Sequence, residues 1–577
     1  MKVSGGAGRE EPWALGGRRE APQRVGQRHQ QSRLARLWLG APRRGGVGAP
    51  ARGGVGRAEP RALGGRREAA RLVGQRDRQS WLARLWLGAP RRGGVGAPGW
   101  GGVGVPGRGG VRGPRRGGVG LGVGGGVGVG VSVGVVVAEG AGWWPNLVLV
   151  TGCLVVGGVG WLVVRRPAGA HVVLAVVAVA AVCQVPGLFR APITSTDAYR
   201  YVWDGRVQLS GSSPYSHVPL ADELARLRDP VLFPGLAPTD RSGVTGPPRI
   251  PKDAAGVAAA SADDPRTRIN RPRVPTIYPP VAQAYFTAVA LVTPWSAGTF
   301  GLQVAAAALA VALTALLANE LKRTKRDPRW ALLWGWSPIV VLEAGSAAHV
   351  DVLAAVLIAA AVALAARRRP VLAGLLLGAA AATKLLPLLL LPAFTAIKQK
   401  DLRTPLVAVG TFVASYLPHL LAAGTLVIGF LPGYLTQEGF EDGSSRSAIL
   451  ALVLPPEARQ LAAGLLAVTL AILAVSRHGR EPIAVTCCWL YGAALLITTP
   501  TYPWYGLPLI ALAVLAGRFE WLVVPVAAYL AYASFGHDQR QGLIYAAALV
   551  IVVITTTLRH RTHTRIRFDE PIGARQH

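Results

Sequence analysis

The feature that most constrains this chain is a long succession of apolar runs. From Asn146 onward, runs of roughly 15–22 residues alternate with short clusters of Arg and Lys, and about 20 apolar residues suffice to cross the hydrocarbon core of a bilayer. This distribution excludes a soluble protein. It predicts an all-α polytopic membrane protein.

The charge of the chain does not indicate a nucleic-acid partner. The formal net charge is +32, and a strongly basic protein often binds nucleic acid. Here, however, the basic residues flank apolar runs and form no basic face with interleaved aromatic residues. The four cysteines also lie in apolar runs, where they are interpreted as small hydrophobic residues and not as a disulfide framework or a zinc site.

The first quarter of the chain differs from the rest. Residues 1–138 are rich in Gly, Arg and Pro, and the segment Glu11–Pro50 recurs as Glu59–Pro98 at an offset of 48 residues. Two such units offer little apolar surface to stack, so we expect a disordered tail, or a start codon assigned too far upstream. A role of the arginines at nucleic acid or at a membrane surface is the alternative.

Positive charge predicts the orientation of the apolar runs, because basic clusters favour the cytoplasmic side of a membrane. The clusters begin at Arg165, Lys322, Arg367, Lys398, Arg477 and Arg559. All of them can be cytoplasmic only if Tyr278–Trp295 does not cross the bilayer and Val371–Ala396 forms a hairpin of two short helices. The first segment would then be an outer juxtamembrane helix. The prediction is about 13 transmembrane helices with a cytoplasmic C-terminus.

This topology divides the chain beyond the tail into four parts. Residues 139–189 contain the first two transmembrane helices, and residues 190–298 form a large extracytoplasmic loop that includes the juxtamembrane helix. Residues 299–560 form the transmembrane core, and residues 561–577 a basic cytoplasmic tail. The predicted location is the bacterial cell membrane.

The outer loop contains a concentrated set of charged and aromatic residues. Asp197, Tyr201 and Asp204 are spaced i, i+4 and i+7, which places them on one face of a helix, with Arg200 within reach of Asp204. The two carboxylates could be catalytic, or they could simply be ion-paired with Arg200 and Arg206. The spacing alone leaves both interpretations open.

Further polar residues are predicted at the same level of the membrane. Glu343, His349 and Asp351 lie where two spans meet, Lys384 lies at the hairpin tip, and Trp504 opens a late span. Each could be an interfacial anchor, or a residue whose hydrogen bonds are satisfied by the backbone at a helix end. Their predicted location on one side of the membrane is stronger evidence for a functional site than any of these residues alone.

Carboxylates, cations and aromatic rings around an outward-facing cavity fit a transferase that uses a lipid-linked sugar phosphate. The lipid tail of such a donor lies in the bilayer and its phosphate at the interface. A Lys, Arg or His would hold that phosphate as the leaving group, and a carboxylate would accept the proton of the attacking hydroxyl. Tyr and Trp rings would stack on sugars. No ligand pattern indicates a metal or another cofactor.

The motifs resemble those of bacterial GT-C glycosyltransferases. The similar segments are Asp197–Arg206 with Ser213-Pro214-Tyr215, Asn270-Arg271-Pro272 leading into Thr276–Gln283, the turn from Glu343 to Asp351, the tip Thr383–Pro387, and Pro503-Trp504-Tyr505. The group includes polyprenyl-phosphate-mannose-dependent mannosyltransferases of actinobacteria. The resemblance covers roughly residues 146–560, and residues 1–138 are expected to match nothing in the family.

The resemblance implies an inverting transfer of a sugar, mannose by analogy, from a polyprenyl-phosphate donor to a glycan or glycolipid of the cell envelope. In the family, the acidic residue at the position of Asp197 acts as the base. The family often has two adjacent acids where this chain has Thr196-Asp197, so Asp204 is predicted as the second acid. The stretch Ala237–Arg266 is predicted to be an insertion.

The remaining candidate residues divide between the donor phosphate and the sugars. We expect the donor phosphate at Lys384, Arg206, His349 and Arg200. We expect the sugar and acceptor at Tyr201, Trp203, Tyr278, Glu343, Asp351 and Trp504. The competing hypotheses are a transporter or lipid flippase, in which intramembrane charges would line a path, and a noncatalytic scaffold.

Overall fold

The computed structural model describes residues 127–129, 131, 144–166, 171–397, 400–439, 446–500, 502–534 and 537–562. The repeat in the N-terminal tail and nearly all of the basic C-terminal tail lie outside these residues. The described part is helical and contains no β-strand, only isolated β-bridges.

The helices fall into three groups along the chain. The first group is α1 (Trp144–Val164), α2 (Val172–Leu188), α3 (Asp197–Leu209), α4 (Ala254–Ala260) and α5 (Pro280–Val292). The second is α6 (Phe300–Arg323), α7 (Leu332–Gly335), α8 (Pro338–Val341), α9 (Asp351–Ala366) and α10 (Pro370–Ala381). The third is α11 (Arg403–Ala423), α12 (Leu431–Gln437), α13 (Pro456–Arg477), α14 (Ile483–Thr498), α15 (Leu507–Ala516), α16 (Val523–Ala533) and α17 (Asp538–Thr562).

Shorter helical segments connect these helices. The 3₁₀ segments are Asp222–Leu227, Trp295–Ala297, Pro328–Ala331, Leu386–Phe394, Gly424–Ile428, Leu450–Leu452, Pro503–Gly506 and Phe519–Leu522. A π-helical segment, Leu342–Ser346, follows α8. Such segments mark departures from regular helix geometry and are frequent near functional sites.

The architecture is that of a polytopic membrane protein, as the apolar runs predict. In the described part, five helices are long and apolar enough to cross a bilayer, or six if the pair Pro338–Ser346 and Asp351–Ala366, bent by 118°, counts as one broken span. The other apolar helices have 10–17 residues. The predicted number of about 13 crossings is reached only if short segments are counted as well.

The predicted hairpin between the third and fourth basic clusters is present. Helix α10 and the 3₁₀ segment Leu386–Phe394 form its two arms, and Lys384 lies in the tip between them. Pro387 and Pro392 interrupt the second arm, because proline lacks the N–H that a continued α-helix needs. The tip therefore ends within the protein and brings a lysine to the end of the bundle that holds Asp351.

The basic clusters converge at the other end of the bundle. Arg323, Arg368, His478 and Arg559 line one cavity there, although they come from four different clusters. Helix α9, about 24 Å long at 1.5 Å per residue, runs from Asp351 to this end. These four clusters therefore share one end, as the positive-inside argument requires. Its assignment to the cytoplasm stays a prediction.

Helices α3 and α5 of the outer loop pack closely against each other. Tyr201 stacks on Phe286 with ring centroids 4.3 Å apart. Gly205 permits the close approach, because a Cβ atom at this position would lie 2.5 Å from the carbonyl oxygen of Phe286. Helix α5 has 13 residues, about 20 Å, which is shorter than the roughly 30 Å hydrocarbon core. This length suits the predicted juxtamembrane helix.

Candidate active site

A cavity of about 290 Å³ lies at the end of the bundle opposite to the basic clusters. Its size is near the lower limit for small-molecule pockets, roughly 300 Å³. Its polar and aromatic lining comes from Thr194, Ser195, Asp197, Asn270, Arg271, Tyr278, Lys384, Tyr434, Arg446, Thr498, Tyr502, Trp504, Tyr505 and Tyr532. The cavity therefore combines a carboxylate, several cations and a wall of aromatic rings.

Asp197 is the first residue of α3, and its side chain is 13% exposed. Its backbone N–H donates to the Ser195 hydroxyl at 2.9 Å, and the Asn270 amide donates to Oδ1 at 2.5 Å. Oδ2 lies 3.9 Å from His349 Nε2 and accepts no hydrogen bond from the described residues. The carboxylate is thus held in place while one oxygen remains free to accept a proton, as a general base requires.

Lys384 projects from the hairpin tip and binds Asp351. Its ammonium donates to both carboxylate oxygens at 2.8 and 2.7 Å, and lies 4.1 Å from the centroid of the Tyr505 ring. Asp351 offsets the cost of a lysine charge at this depth. Because an ammonium has three N–H donors, Lys384 can also bind an oxygen of a ligand in the cavity.

His349 and Glu343 lie behind the cavity wall and position two residues of the wall. His349 Nδ1 lies 2.5 Å from Glu343 Oε2, and the imidazole stacks on Trp504 with centroids 4.0 Å apart. Glu343 also accepts hydrogen bonds from the hydroxyls of Thr194, at 3.2 Å, and Tyr529. His349 Nε2 has no hydrogen-bond partner among the described residues. This network fixes the orientation of the Trp504 ring.

Arg271 adds a second cation to the cavity wall. Its backbone has a φ of 45°, a left-handed conformation that is uncommon outside glycine. The guanidinium donates to Gln437 at 3.1 Å and to the Tyr502 hydroxyl at 3.4 Å. Burial alone would lower the pKa of Arg271, but the neighbouring Tyr502 and Asp197 raise it above its ordinary value. Arg271 therefore remains a permanent cation beside the carboxylate.

Two family models match parts of the chain. One, described as glycosyltransferase family 87, matches residues 276–500, which include Tyr278, Lys384 and most of the segments around the cavity. The other, described as alpha-(1->6)-mannopyranosyltransferase, N-terminal domain, matches residues 117–230, which include Asp197. The chain is a membrane glycosyltransferase of the GT-C superfamily. No curated protein and no solved structure matches the chain.

The family-like sequence of this glycosyltransferase begins earlier than expected. The second match starts at residue 117, so the expectation that residues 1–138 match nothing in the family is wrong for its last part. Val127–Val129 is helical, and a Cβ atom at Gly128 would lie 3.3 Å from the Trp336 ring. The absence of a side chain at Gly128 thus permits close packing against a large ring.

The glycosyltransferase does not have Asp204 in its cavity. The side chain is fully buried, Oδ1 accepts from Arg200 Nε at 2.9 Å, and Oδ2 accepts from Thr276 and Gln283 at 2.6 and 3.0 Å. Arg200 also donates to the carbonyl oxygens of Arg271 and Val274. The expectation of a second catalytic acid and of a phosphate-binding Arg200 finds no support here. Both side chains instead connect α3 to the segment before α5.

Three other candidates also lie away from the cavity. Arg206 pairs with Asp229 and donates to the carbonyl oxygen of Trp295 at 2.7 Å, so it ties α3 to the outer loop. Tyr201 is buried against α5, and Trp203 packs edge-to-face on Phe233 with centroids 4.9 Å apart. These residues hold the helices that surround the cavity in place, but they do not line it.

The cavity brings together four of the candidates and several residues that the sequence interpretation missed. Asp197, Tyr278, Lys384 and Trp504 line it as predicted. The additional lining residues with polar or aromatic side chains include Asn270, Arg271, Tyr434, Arg446, Tyr502, Tyr505 and Tyr532. The Asn270-Arg271-Pro272 motif was a signal for the first two. Tyr434 and Arg446 delimit a charge-rich loop in the sequence, which is a weaker signal for both, whereas Tyr532 lies in a sequence context without one.

The carboxylates near the cavity are engaged by side chains of the protein. Asp351 binds Lys384, Glu343 binds His349, and Asp197 accepts from Asn270. The described residues include no group of three or more His, Cys, Asp or Glu placed to hold a metal ion. The geometry thus offers acid–base and electrostatic chemistry by side chains.

Proposed function

We propose that this glycosyltransferase moves mannose from a polyprenyl-phosphate donor to a hydroxyl of a cell-envelope glycan or glycolipid, with inversion, at the outer face of the cell membrane. One observation carries the proposal: the Asp197 carboxylate and the Lys384 ammonium line the same aromatic cavity. These are the two groups that a displacement at a sugar phosphate needs, a base for the acceptor and a cation for the leaving group.

Asp197 acts as the general base. The acceptor oxygen forms a bond to the anomeric carbon while the bond from that carbon to the phosphate oxygen breaks, and its electron pair leaves with the phosphate. The acceptor proton passes to Asp197. Asn270 and Ser195 hold this carboxylate, which reduces the loss of orientation entropy in the transition state. A single displacement of this kind inverts the anomeric configuration.

Lys384 and Arg271 stabilise the departing phosphate. Both line the cavity, whereas the earlier candidates Arg200 and Arg206 are bound elsewhere. Negative charge on the phosphate increases as the sugar leaves, so pre-positioned cations stabilise the transition state more than the ground state. Asp351 holds the Lys384 ammonium in position at the cavity. This assignment replaces Arg206 and Arg200 with Arg271.

The aromatic wall suits sugar rings. Tyr502 and Trp504 stack at 4.8 Å with an angle of 16° between their planes, and Tyr505 contacts the Tyr434 hydroxyl at 3.0 Å. Flat rings with polar edges contact the apolar face of a pyranose and donate hydrogen bonds to its hydroxyls. Mannose is favoured because the model that matches residues 117–230 is named for a mannopyranosyltransferase.

The transporter hypothesis has less support. Many secondary transporters hold their substrate near the bilayer midplane, whereas Asp197 and Lys384 line a cavity at one end of the bundle. A scaffold without catalysis would not need a carboxylate with a free oxygen beside two cations. Both matched family models also carry the names of glycosyltransferases.

The proposal is tested by the donor that the full-length protein uses. Membranes that contain the protein are supplied with radiolabelled polyprenyl-phosphate mannose, polyprenyl-phosphate glucose or a nucleotide-linked mannose. We expect label in a glycan or glycolipid only from polyprenyl-phosphate mannose, with the anomeric configuration inverted. Transfer from the nucleotide donor alone would contradict the lipid-phosphate assignment, and transfer of glucose alone would contradict mannose.

A further inference from the structure

The cavity at the basic end of the bundle is large and amphipathic. Its volume is about 1400 Å³, and its wall combines apolar residues such as Val362, Phe394 and Leu515 with charged ones. The proposed transfer reaction uses none of these residues. A cavity with both kinds of wall suits a ligand that has a charged group and an apolar part.

Most of the carboxylates in this cavity are neutralised by neighbouring arginines. Glu320 binds Arg323 at 2.9 Å and Arg367, and Asp401 binds Arg403 at 2.8 Å. These pairs leave no free negative charge on their side of the wall.

The third carboxylate, Glu481, accepts hydrogen bonds from Thr486 and from the Trp489 indole, at 2.9 and 2.8 Å. The remaining carboxylate, Glu520, pairs with Arg559. All four carboxylates of this cavity are thus engaged by side chains of the protein.

Two arginines at the cavity wall retain unused hydrogen-bond donors. The Arg518 side chain, half-buried beside α15, makes no hydrogen bond or ion pair with the described residues. Arg559 uses one nitrogen for Glu520, whereas its Nη1 is buried without a partner in the described part of the chain. Burial and the charge of Arg559 lower the pKa of Arg518, whereas the carboxylates of Glu520 and Glu481 partly offset this shift. Both guanidinium groups line the same cavity, so a phosphate group there has access to their unused N–H donors.

We propose that this cavity binds the phosphate group of an anionic phospholipid, with Arg518 and Arg559 as its ligands and the apolar wall as the site of the acyl chains. Guanidinium groups present several N–H donors in one plane, a geometry that matches phosphate oxygens. Basic pockets between transmembrane helices are typical binding places for lipid head groups. The site is separate from the transfer reaction and does not depend on the proposed donor.

The test measures lipid binding to the full-length protein in a non-ionic detergent without phosphate. Dioctanoyl phosphatidylglycerol is titrated and bound lipid is counted by native mass spectrometry, with dioctanoyl glycerol and glycerol 3-phosphate as separate probes. The variant is Arg518→Gln, which leaves no protein carboxylate unpaired. The matched control is Arg480→Gln, which removes one exposed charge at the same end but outside the cavity.

We expect Arg518→Gln to weaken phosphatidylglycerol binding at least tenfold and Arg480→Gln to leave it unchanged. Arg518→Lys, which keeps the charge but loses the planar fork, should give an intermediate loss, and it replaces the glutamine variant if that protein does not elute as a monodisperse peak. Equal weakening by Arg480→Gln would overturn the site in favour of general surface charge. Binding of glycerol 3-phosphate as tight as the lipid would overturn a lipid ligand, and equal binding of dioctanoyl glycerol would overturn phosphate recognition.

Discussion

Helix α3 carries two aspartates that differ in exposure and in hydrogen bonding. Asp197 lies at the cavity with 13% of its side chain exposed, and one of its oxygens accepts no hydrogen bond from the described residues. Asp204, seven residues later, is fully buried and accepts three hydrogen bonds. Both lie on one face of the helix, as the i, i+7 spacing indicates. Helix α5 covers this face at Asp204 but not at Asp197. We therefore expect the same kind of side chain to serve catalysis at one end of α3 and stability at the other.

The largest effect is expected for Asp197→Asn. Loss of the proton acceptor should reduce turnover by about 10²–10⁴-fold, while the thermal unfolding temperature in detergent remains that of the wild type. The measurement is initial transfer from the lipid-linked donor, with Asp253→Asn as the control. Asp253 caps α4 in the same outer loop, and asparagine is also a good cap. Turnover within threefold of the wild type would exclude Asp197 as the base.

Asp204→Asn should act on stability instead. It leaves the Arg200 charge buried without its partner, which typically costs about 3–5 kcal/mol. We expect a lower unfolding temperature and a lower yield, but an unchanged KM for the fraction that remains folded. The measurements are thermal unfolding and donor titration. A stable Asp204→Asn protein with a large loss of turnover would place Asp204 in the reaction after all.

Two arginines of the segment before α5 offer a second comparison, because Arg271 lines the cavity and Arg268 is exposed to solvent. In the proposed site, Arg271→Gln would remove a charged hydrogen bond to the donor phosphate, worth about 1.5–3 kcal/mol, so kcat/KM for the donor should fall roughly 10- to 150-fold. Arg268→Gln, an exposed change three residues earlier in the loop, should have no effect. Donor titrations of both variants provide the comparison. Equal losses would show that the loop charge as a whole, and not Arg271, attracts the donor.

The smallest effect is expected at the aromatic wall. Trp504→Leu removes one stacking surface, worth about 0.5–1.5 kcal/mol, and should raise the KM of a sugar substrate roughly 2- to 10-fold. Trp161→Leu, at an exposed position of α1, is the control for loss of an indole in this protein. An unchanged KM in Trp504→Leu would show that Trp504 only supports His349 and does not contact the sugar.

The sequence predicted the general location of the site better than its members. Asp197, Lys384, Tyr278 and Trp504 line the cavity, because each lies beside a helix end or a proline that fixes its level in the membrane. The spacing also placed Arg200 within reach of Asp204, and of the two interpretations left open for Asp204 the ion pair is the one present. Spacing could not tell a covered helix face from an open one, and this difference decided which residues have access to a ligand.

Several other features depended on contacts between distant segments. Tyr532 lines the cavity although no local motif marks it, since its position follows from the packing of the late helices. A family model matches from residue 117, inside the segment that was expected to match nothing in the family. The pairing of Lys384 with Asp351, 33 residues apart, likewise needed the fold.

The sequence by itself determined that this protein is a helical membrane protein, which residues end its apolar segments and which segments resemble a glycosyltransferase. These properties follow from local composition, because transfer of apolar side chains into lipid and exclusion of charges depend on each segment separately. The tertiary structure alone decided which charges are free and which are bound. Desolvation and hydrogen bonding depend on the neighbours that packing brings, so Asp197 and Arg518 retain unused capacity while Asp204 and Arg206 do not.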